Sequence, residues 1–228
     1  YAFLLESVEG QEKIARYSFL GSNPYLVIKT KGNDIQILYP YKQSLKKFKT
    51  RTSPMDEIRK LMRDFKSAKV LGLPRFFGGL VGFMGYDMAR FFEEIPDKNP
   101  DDLKLSDSVF MLTGTILIFD HVNHKIKITS NIILPQDKRG ISRARKIEFY
   151  RRAIKNIEAI HSDFGKPVAE TRRGAGIGAQ ASVKSNLKKS EFKKAVLRAK
   201  AYIKKGDVIQ VVPSQRFTVK TKRDPFDI

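Results

Sequence analysis

Residues 206–217 of the chain read GDVIQVVPSQRF. This stretch predicts the end of a helix at Gly206, then a buried strand, a turn and another strand. Glycine often takes the left-handed conformation that terminates a helix, and a short β-branched run bounded by turn residues is typical of a strand within a sheet. The chain ends eleven residues later. We therefore expect the strands that would complete this sheet to be missing.

The composition is that of a globular domain. The 228 residues are 41% hydrophobic and include 16 Phe, enough for one large core or two small ones. No apolar run is long enough for a membrane span, and Glu6 and Glu9 make the first residues unlike a signal peptide. The absence of cysteine excludes disulfides, thiol nucleophiles and zinc–thiolate sites, and it favours a cytoplasmic location.

The net charge of +20 is concentrated in one segment. Residues 139–205 contain 19 Lys and Arg against 5 Asp and Glu, a balance of +14. Such a cluster can neutralise nucleic-acid phosphates, so a basic nucleic-acid-binding module is one hypothesis. No zinc-finger spacing or RNA-binding signature accompanies it, which favours a solvated helix face and a linker.

Two hairpins are predicted. The first spans 24–39 with a turn at 31–34, because two β-rich runs flank Gly-Asn-Asp. The second spans 109–134, with one strand over 109–119 and a turn at 120–124. Strict alternation over 125–129 predicts that one face of its second strand is solvated.

Three helices are predicted, at about 54–67, 141–161 and 190–205. Ser53 is a suitable cap for the first helix, and Asp56 would complete a capping box. Ser190 would cap the third. Helical spacing places an inward stripe on each helix. The members of these stripes are Ile58, Leu61, Met62 and Phe65; Ile147, Tyr150, Ile154 and Ile157; and Phe192, Val196, Ala199 and Ile203.

The order of elements predicts an α+β fold with mainly antiparallel sheets and packed helices. Residues 162–187 are rich in Gly, Ala, Ser, Lys and Arg and read as a linker. We therefore predict an N-terminal region over 1–161, a linker over 162–187 and the start of a second domain over 188–228.

Several motifs that suggest chemistry fail on context. The glycines within 77–87 lack both phosphate-loop spacings, so close packing of the backbone is favoured. Residues 174–179 fit G-x-G-x-x-A, but no strand precedes them, which favours a flexible linker. His121 and His124 flank a predicted turn without a third metal ligand, and His161 ends a helix. No catalytic triad or carboxylate pair is apparent.

The segment Leu4-Leu5-Glu6-Ser7 is short, but it has a suggestive chemistry. A strand that ends in Glu-Ser offers a carboxylate for an ammonium group and a hydroxyl for a second polar contact. Local chemistry alone favours the simpler interpretation, a strand end with solvated polar residues.

A set of segments in the same order resembles the large subunit (component I) of anthranilate synthase, a chorismate-using enzyme. These segments are residues 3–10, 16–21, 77–90, 119–121, 199–217 and 224–228. Within the same enzyme class, aminodeoxychorismate synthase component I is the alternative. Glu6-Ser7 and the run 212–217 favour anthranilate synthase.

The resemblance implies a lyase of tryptophan biosynthesis that converts chorismate and ammonia to anthranilate and pyruvate, with magnesium assisting. It implies a glutamine amidotransferase subunit (component II) as partner, and the N-terminal part of a two-domain α+β fold. The family's chorismate and magnesium motifs lie beyond the point where this chain ends. No catalytic, cofactor-binding or metal-binding residue is therefore assigned here, and we expect residues 1–228 alone to be inactive.

The resemblance also implies a feedback site for L-tryptophan. In the family, the Glu-Ser of the N-terminal signature forms part of that site, and the matching residues here are Glu6 and Ser7. Tyr17 and Ser18 are weaker candidates for a neighbouring wall. The resemblance thus reverses the interpretation of Glu6-Ser7 that local chemistry favours.

Overall fold

The structure, a computed structural model, describes residues 1–6, 16–68, 70–134, 140–167, 182–221 and 223. The chain divides into two compact units, Tyr1–Lys166 and Pro167–Ile228. The division falls inside the predicted linker. No helix within the described ranges combines the length and the apolar character needed to cross a membrane.

The elements of the first unit follow in chain order. They are β1 (Ala2–Leu5), β2 (Tyr17–Ser22), β3 (Leu26–Lys31), β4 (Asp34–Tyr39), β5 (Ser44–Lys49), α1 (Pro54–Arg63), β6 (Leu80–Met84), β7 (Ser108–Leu112), β8 (Thr115–Asp120), β9 (Lys125–Ser130) and α2 (Arg143–Asp163). Two 3₁₀ helices lie at Pro40–Lys42 and Tyr86–Phe91. The second unit contains β10 (Lys184–Ser185), α3 (Lys189–Lys205) and β11 (Phe217–Thr218).

The strands of the first unit form two antiparallel sheets. One has four strands in the order β1-β2-β8-β9, and the other has five in the order β5-β4-β3-β7-β6. Helix α2 packs against β9. The α+β class with mainly antiparallel sheets is confirmed.

A two-stranded ribbon runs through both sheets. β2 continues into β3, and β7 continues into β8, so each pair of consecutive strands contributes one strand to each sheet. Ser22 pairs with Thr115 in the four-stranded sheet, and Leu26 pairs with Leu112 in the five-stranded sheet. Between these pairs, the Tyr25 backbone N–H donates to the Leu112 carbonyl at 2.9 Å. The two sheets are thus built on one antiparallel ribbon, which passes from the first sheet into the second.

The single strand predicted over 109–119 is therefore wrong. The chain leaves one sheet at Leu112 and joins the other at Thr115, with Thr113 and Gly114 at the bend. Thr113 anchors the bend, because its hydroxyl accepts from the Gly79 N–H and donates to the Gly79 carbonyl, both at 3.1 Å. Strands that pass between sheets commonly bend at such a point.

A buried polar pair lies within the ribbon. The hydroxyls of Thr30 and Ser108 are 2.7 Å apart, and both residues are almost fully buried. These residues are also partners in the β3–β7 register. A slip of one residue would expose the apolar face of the strand and separate these hydroxyls, so the pair helps to specify the register.

Helix α1 covers the five-stranded sheet. The buried core contains Leu26, Ile28, Ile35, Ile37, Ile58 and Leu112, and the remaining members of the predicted stripe of α1 pack against it. Ser53 caps the helix by accepting from the Met55 N–H at 3.2 Å. The predicted capping box does not form, because the Asp56 carboxylate pairs with Arg59. The helix ends at Arg63, before the predicted residue 67.

The other predicted helices are present, with differences at their caps and faces. In α2, Ile147 and Tyr150 are exposed, whereas Ala153 is buried, so the predicted stripe is wrong at its first two positions. Helix α3 begins after Lys188, whose N–H donates to the Glu191 carboxylate at 2.8 Å, so Ser190 is not its cap.

In the second unit, Gly206 ends α3 with a φ of 81°, as predicted. Its N–H donates to the Ile203 carbonyl, and the Asp207 N–H donates to Tyr202. The buried strand predicted after it is wrong: residues 208–216 form no strand, and Ile209 is fully exposed. Within the described residues, β11 finds only the short β10 as a partner.

Gly82 allows close contact between two strands. It lies in β6 opposite Phe110 of β7, and a Cβ atom at this position would collide with the Val109 carbonyl oxygen. This geometry confirms the packing interpretation for this glycine of the 77–87 cluster. Gly114 is different, because a Cβ there would meet nothing within 4 Å.

We expect Gly82→Ala to destabilise the chain by about 1–3 kcal/mol, because β6 must shift away from β7. Gly114→Ala is the matched control and should change the free energy of unfolding by less than about 0.5 kcal/mol. Chemical denaturation of the two variants measures both values. Equal stabilities would contradict the packing role of Gly82.

Candidate functional site

Polar side chains converge at one end of the four-stranded sheet. At this end β1 stops at Leu5 and β2 begins at Tyr17, while β8 stops at Asp120 and β9 begins at Lys125. Leu5 pairs with Phe19, and Tyr17 pairs with Asp120. We call this end of the sheet, with Glu6, Arg16, Tyr17, Ser18, Asp120, His121 and Asn123, the sheet-end cluster.

A buried carboxylate is the centre of the sheet-end cluster. Asp120 has no exposed side-chain surface, and its two oxygens accept from Arg16 Nε at 3.0 Å and Arg16 Nη2 at 2.9 Å. They also accept from the backbone N–H and the Nδ2 of Asn123, at 3.2 and 2.9 Å. The Arg16 guanidinium above all, and then Asn123, hold the pKa of the Asp120 carboxyl far below its usual range. Asp120 is therefore ionised at neutral pH.

A second contact lies next to this ion pair. The Ser18 hydroxyl is 2.8 Å from His121 Nε2, and Ser18 is only 3% exposed. The backbone N–H of His121 also donates to the Arg16 carbonyl at 2.9 Å. Arg16 and the start of β2 are thus joined to the end of β8 and the turn after it by one backbone contact and two side-chain contacts.

Tyr17 supplies an aromatic surface. The Arg16 guanidinium lies 4.9 Å from the Tyr17 ring centroid, within the range of a cation–π contact. Tyr17 also lies near Phe19, whose ring makes an edge contact with Phe76 at 5.3 Å. Tyr17 is half-buried, so its ring forms part of the wall on its side of the sheet.

Three of the four predicted site residues, Glu6, Tyr17 and Ser18, lie at this end of the four-stranded sheet. Their side chains do not all lie on the same face of the sheet. Glu6 is exposed, and it follows Leu5 at the level of Ser18. Tyr17 and Ser18 are consecutive strand residues, so their side chains point to opposite faces of the sheet. Ser7 lies outside the described residues.

Sequence reasoning missed the central contacts of the cluster. It treated His121 only as part of a polar turn, and it gave Arg16 and Asp120 no role. The turn itself is confirmed at residues 121–124. The only available signal was that residues 16–21 and 119–121 both belong to the segments that resemble a known family, although about a hundred residues separate them.

A separate cleft lies beside α1 and has a volume of about 200 Å³. Its floor consists of Ile35, Ile37 and Ile58, which belong to the core of the five-stranded sheet, and Lys46 and Lys60 lie at its rim. The cleft therefore marks incomplete coverage of the core by α1. Among the described residues, no three His, Asp or Glu side chains are grouped as metal ligands. Residues 174–179 lie outside the described residues.

Comparison with known proteins identifies the class. The sequence profile of the chorismate binding enzymes matches residues 1–228, and the chain belongs to this family. Within the family, the chain is similar to anthranilate synthase component 1 of Acetivibrio thermocellus, with 38% identity over 231 residues, covering 99% of this chain and 44% of that protein. It is 34% identical to the Aquifex aeolicus protein of the same name, covering 100% of this chain and 44% of that protein.

A solved structure agrees with this assignment. Anthranilate synthase component I from Streptococcus pneumoniae TIGR4 superposes with a TM-score of 0.69 and 25% identity, covering 98% of this chain and 45% of that one. The resemblance to anthranilate synthase component I is therefore confirmed. The chain spans about 44% of the length of the two curated relatives described above.

We expect Asp120→Asn to lower the melting temperature at neutral pH, because the variant leaves Arg16 without its ionised partner. The pKa of Asp120 is depressed by folding, so its carboxylate stabilises the fold above the unfolded pKa of about 3.9. This contribution is lost as the pH falls further, toward the folded pKa. The difference between the two proteins should therefore narrow below about pH 4.

Thermal unfolding at several pH values measures this difference. Asp34→Asn is the control, because the Asp34 carboxylate is exposed and lies 4.0 Å from Lys49. A constant difference between wild type and Asp120→Asn from pH 7 to pH 3 would show that the charge of Asp120 does not stabilise the fold.

Proposed function

We propose that this chain is part of the large subunit of an anthranilate synthase. The enzyme would convert chorismate and ammonia to anthranilate, pyruvate and water, a lyase reaction of tryptophan biosynthesis. The observation that carries the proposal is the 38% identity to an anthranilate synthase component 1 over 99% of the chain. The absence of cysteine is in keeping with the cytoplasmic location that we assign to it.

We assign no catalytic step to a residue of this chain. The described residues offer no group of side chains that fits a magnesium ion. We place the magnesium and chorismate ligands in the part of the relatives' length that this chain does not span. Residues 1–228 alone should accordingly show no turnover.

We propose a glutamine amidotransferase subunit as the partner of the enzyme. Ammonium dominates over free ammonia near neutral pH, so an enzyme that uses ammonia benefits from a local source. The basic segment 139–205, with 19 Lys and Arg, would favour an encounter with an acidic surface on that subunit. Charge of this kind raises the rate of association more than the final affinity.

We expect the whole enzyme that contains this chain to form anthranilate from chorismate and ammonium in the presence of magnesium. Anthranilate fluorescence measures the product, and residues 1–228 alone are the control. Glutamine should replace ammonium only after the amidotransferase subunit is added. Formation of aminodeoxychorismate without anthranilate would assign the enzyme to the alternative, aminodeoxychorismate synthase.

We also propose a feedback site for L-tryptophan at the sheet-end cluster. Glu6 would pair with the ammonium group, and the hydroxyl of Ser7 would hydrogen-bond to a polar group of the ligand. The half-buried ring of Tyr17 lies at the same end of the sheet but on the face opposite to that of Ser18, so Tyr17 is a weaker candidate for contact with the ligand. Ser18 is a weaker candidate for contact, because its buried hydroxyl already bonds to His121. Inhibition requires tryptophan to bind one of two global states more tightly.

We expect Ser7→Ala in the whole enzyme to raise the tryptophan concentration for half-inhibition roughly tenfold to 150-fold. This range corresponds to the loss of a hydrogen bond to a charged group, about 1.5–3 kcal/mol. Each variant is assayed at the same fractional saturation with chorismate. Ser22→Ala, at the opposite end of β2, is the control. Inhibition that is unaltered in Ser7→Ala would remove Ser7 from the site.

A further inference from the structure

The start of β2, with Arg16 just before it, is held by contacts to the end of β8 and to the turn after β8. The Arg16 side chain bonds to Asp120, the Arg16 carbonyl accepts from the His121 N–H, and the Ser18 hydroxyl bonds to the His121 ring. All three partners lie at the end of β8 or in the turn that follows it. The position of this part of β2 therefore depends on a turn about a hundred residues later in the sequence.

The turn after β8 is itself well ordered by hydrogen bonds. The buried Asp120 carboxylate accepts from the backbone N–H and the side chain of Asn123, in addition to Arg16. His124 closes the turn with a φ of 51°, in the left-handed region. A turn held in this way presents His121 to Ser18 in one orientation.

The Ser18–His121 hydrogen bond lies at the level of Glu6, which is proposed to bind tryptophan. Leu5 pairs with Phe19, so Glu6 follows at the level of Ser18 across the β1–β2 ladder. Ser18 is buried, and its hydroxyl would lose its only hydrogen bond among the described residues if His121 were removed. Loss of either side chain removes this contact between β2 and the turn after β8, so the start of β2 would no longer be held in one position.

We propose that His121 is a positioning residue for the tryptophan site. It holds Ser18, and thereby the start of β2 opposite Glu6, in the arrangement that binds tryptophan. It does not itself contact the ligand. This inference rests on the proposed feedback function, and it adds to that function a residue from the turn after β8.

The test is a double-mutant cycle in the whole enzyme, with His121→Ala, Ser18→Ala and the double variant. Each single variant should raise the tryptophan concentration for half-inhibition about two- to tenfold, as expected for one neutral hydrogen bond. Because the two residues share that bond, the double variant should resemble the single variants rather than multiply their effects. The fold-change in half-inhibition should exceed any fold-change in kcat/KM for chorismate.

Two further variants separate positioning from general stability. His121→Gln keeps a side-chain group that can bond to Ser18, so it should recover most of the tryptophan sensitivity. His124→Asn changes the other histidine of the turn, and asparagine tolerates the left-handed conformation at this position, so this variant should leave half-inhibition as in the wild type. Melting temperatures identify any variant that fails to fold. If His121→Ala does not fold, the half-inhibition concentration of His121→Gln is compared with that of Ser18→Ala instead.

The outcomes distinguish this inference from the proposed function. If the wild type is inhibited by tryptophan but His121→Ala has the same half-inhibition concentration, the positioning role is wrong and the feedback site stands. Effects of His121→Ala and Ser18→Ala that multiply in the double variant would also overturn it. If tryptophan does not inhibit the wild type, the feedback proposal fails, and this inference fails with it.

Discussion

The antiparallel pairing of β2–β3 with β7–β8 is the constraint on which the first unit depends. One ribbon supplies the two inner strands of the four-stranded sheet and two strands of the five-stranded sheet. Most of the least exposed apolar residues among the described ones lie along it, including Val27, Ile28, Ile116 and Ile118. The other described strands of the first unit extend the two sheets outward from it, and α1 covers the five-stranded sheet. A bend at Thr113 and Gly114 is what allows the ribbon to pass from one sheet into the other.

Each end of the ribbon is closed by an ion pair that joins its two strands. At one end, Arg16 before β2 pairs with Asp120 of β8. At the other end, Lys31 of β3 pairs with Asp107 at 3.1 Å, and the Asp107 carboxylate also accepts from the Gly32 N–H at 2.7 Å. Only the first pair has a fully buried carboxylate. The buried pair also lies at the end that holds Glu6, Tyr17 and Ser18, three of the residues predicted to bind tryptophan.

Local features of the fold were predictable, and features that depend on distant pairing were not. The β3–β4 hairpin, the Ser53 cap and the Gly206 stop follow from turn and capping chemistry within a few residues. The change of sheet at Thr113 was missed, because the apolar run over 109–119 is the same whether one sheet or two receive it. The strand predicted after Gly206 was wrong, since apolar character alone does not supply a partner strand.

The candidate site shows the same division. The family resemblance, which includes residues 16–21, predicted the site residues Glu6, Ser7, Tyr17 and Ser18. His121, in contrast, contacts Ser18 only because β2 pairs with β8 in the folded chain. Nothing within a few residues of His121 indicates that contact. The local sequence around His121 fits an exposed polar turn and a hydrogen-bond partner for a buried serine equally well. Only the β2–β8 register, which brings His121 next to Ser18, distinguishes the two.

The ribbon also has a consequence for the order in which the chain folds. Arg16 and Asp120 are 104 residues apart in the sequence, and closing so long a loop is entropically slow. During synthesis, local contacts allow association of β3, β4, β5 and α1. β2 cannot pair with β8 until β8 has been synthesised. Its apolar residues, among them Phe19 and Leu20, lack their inner partner until about residue 120 has left the ribosome. During that interval the nascent chain exposes apolar residues and an unpaired strand, which favour aggregation.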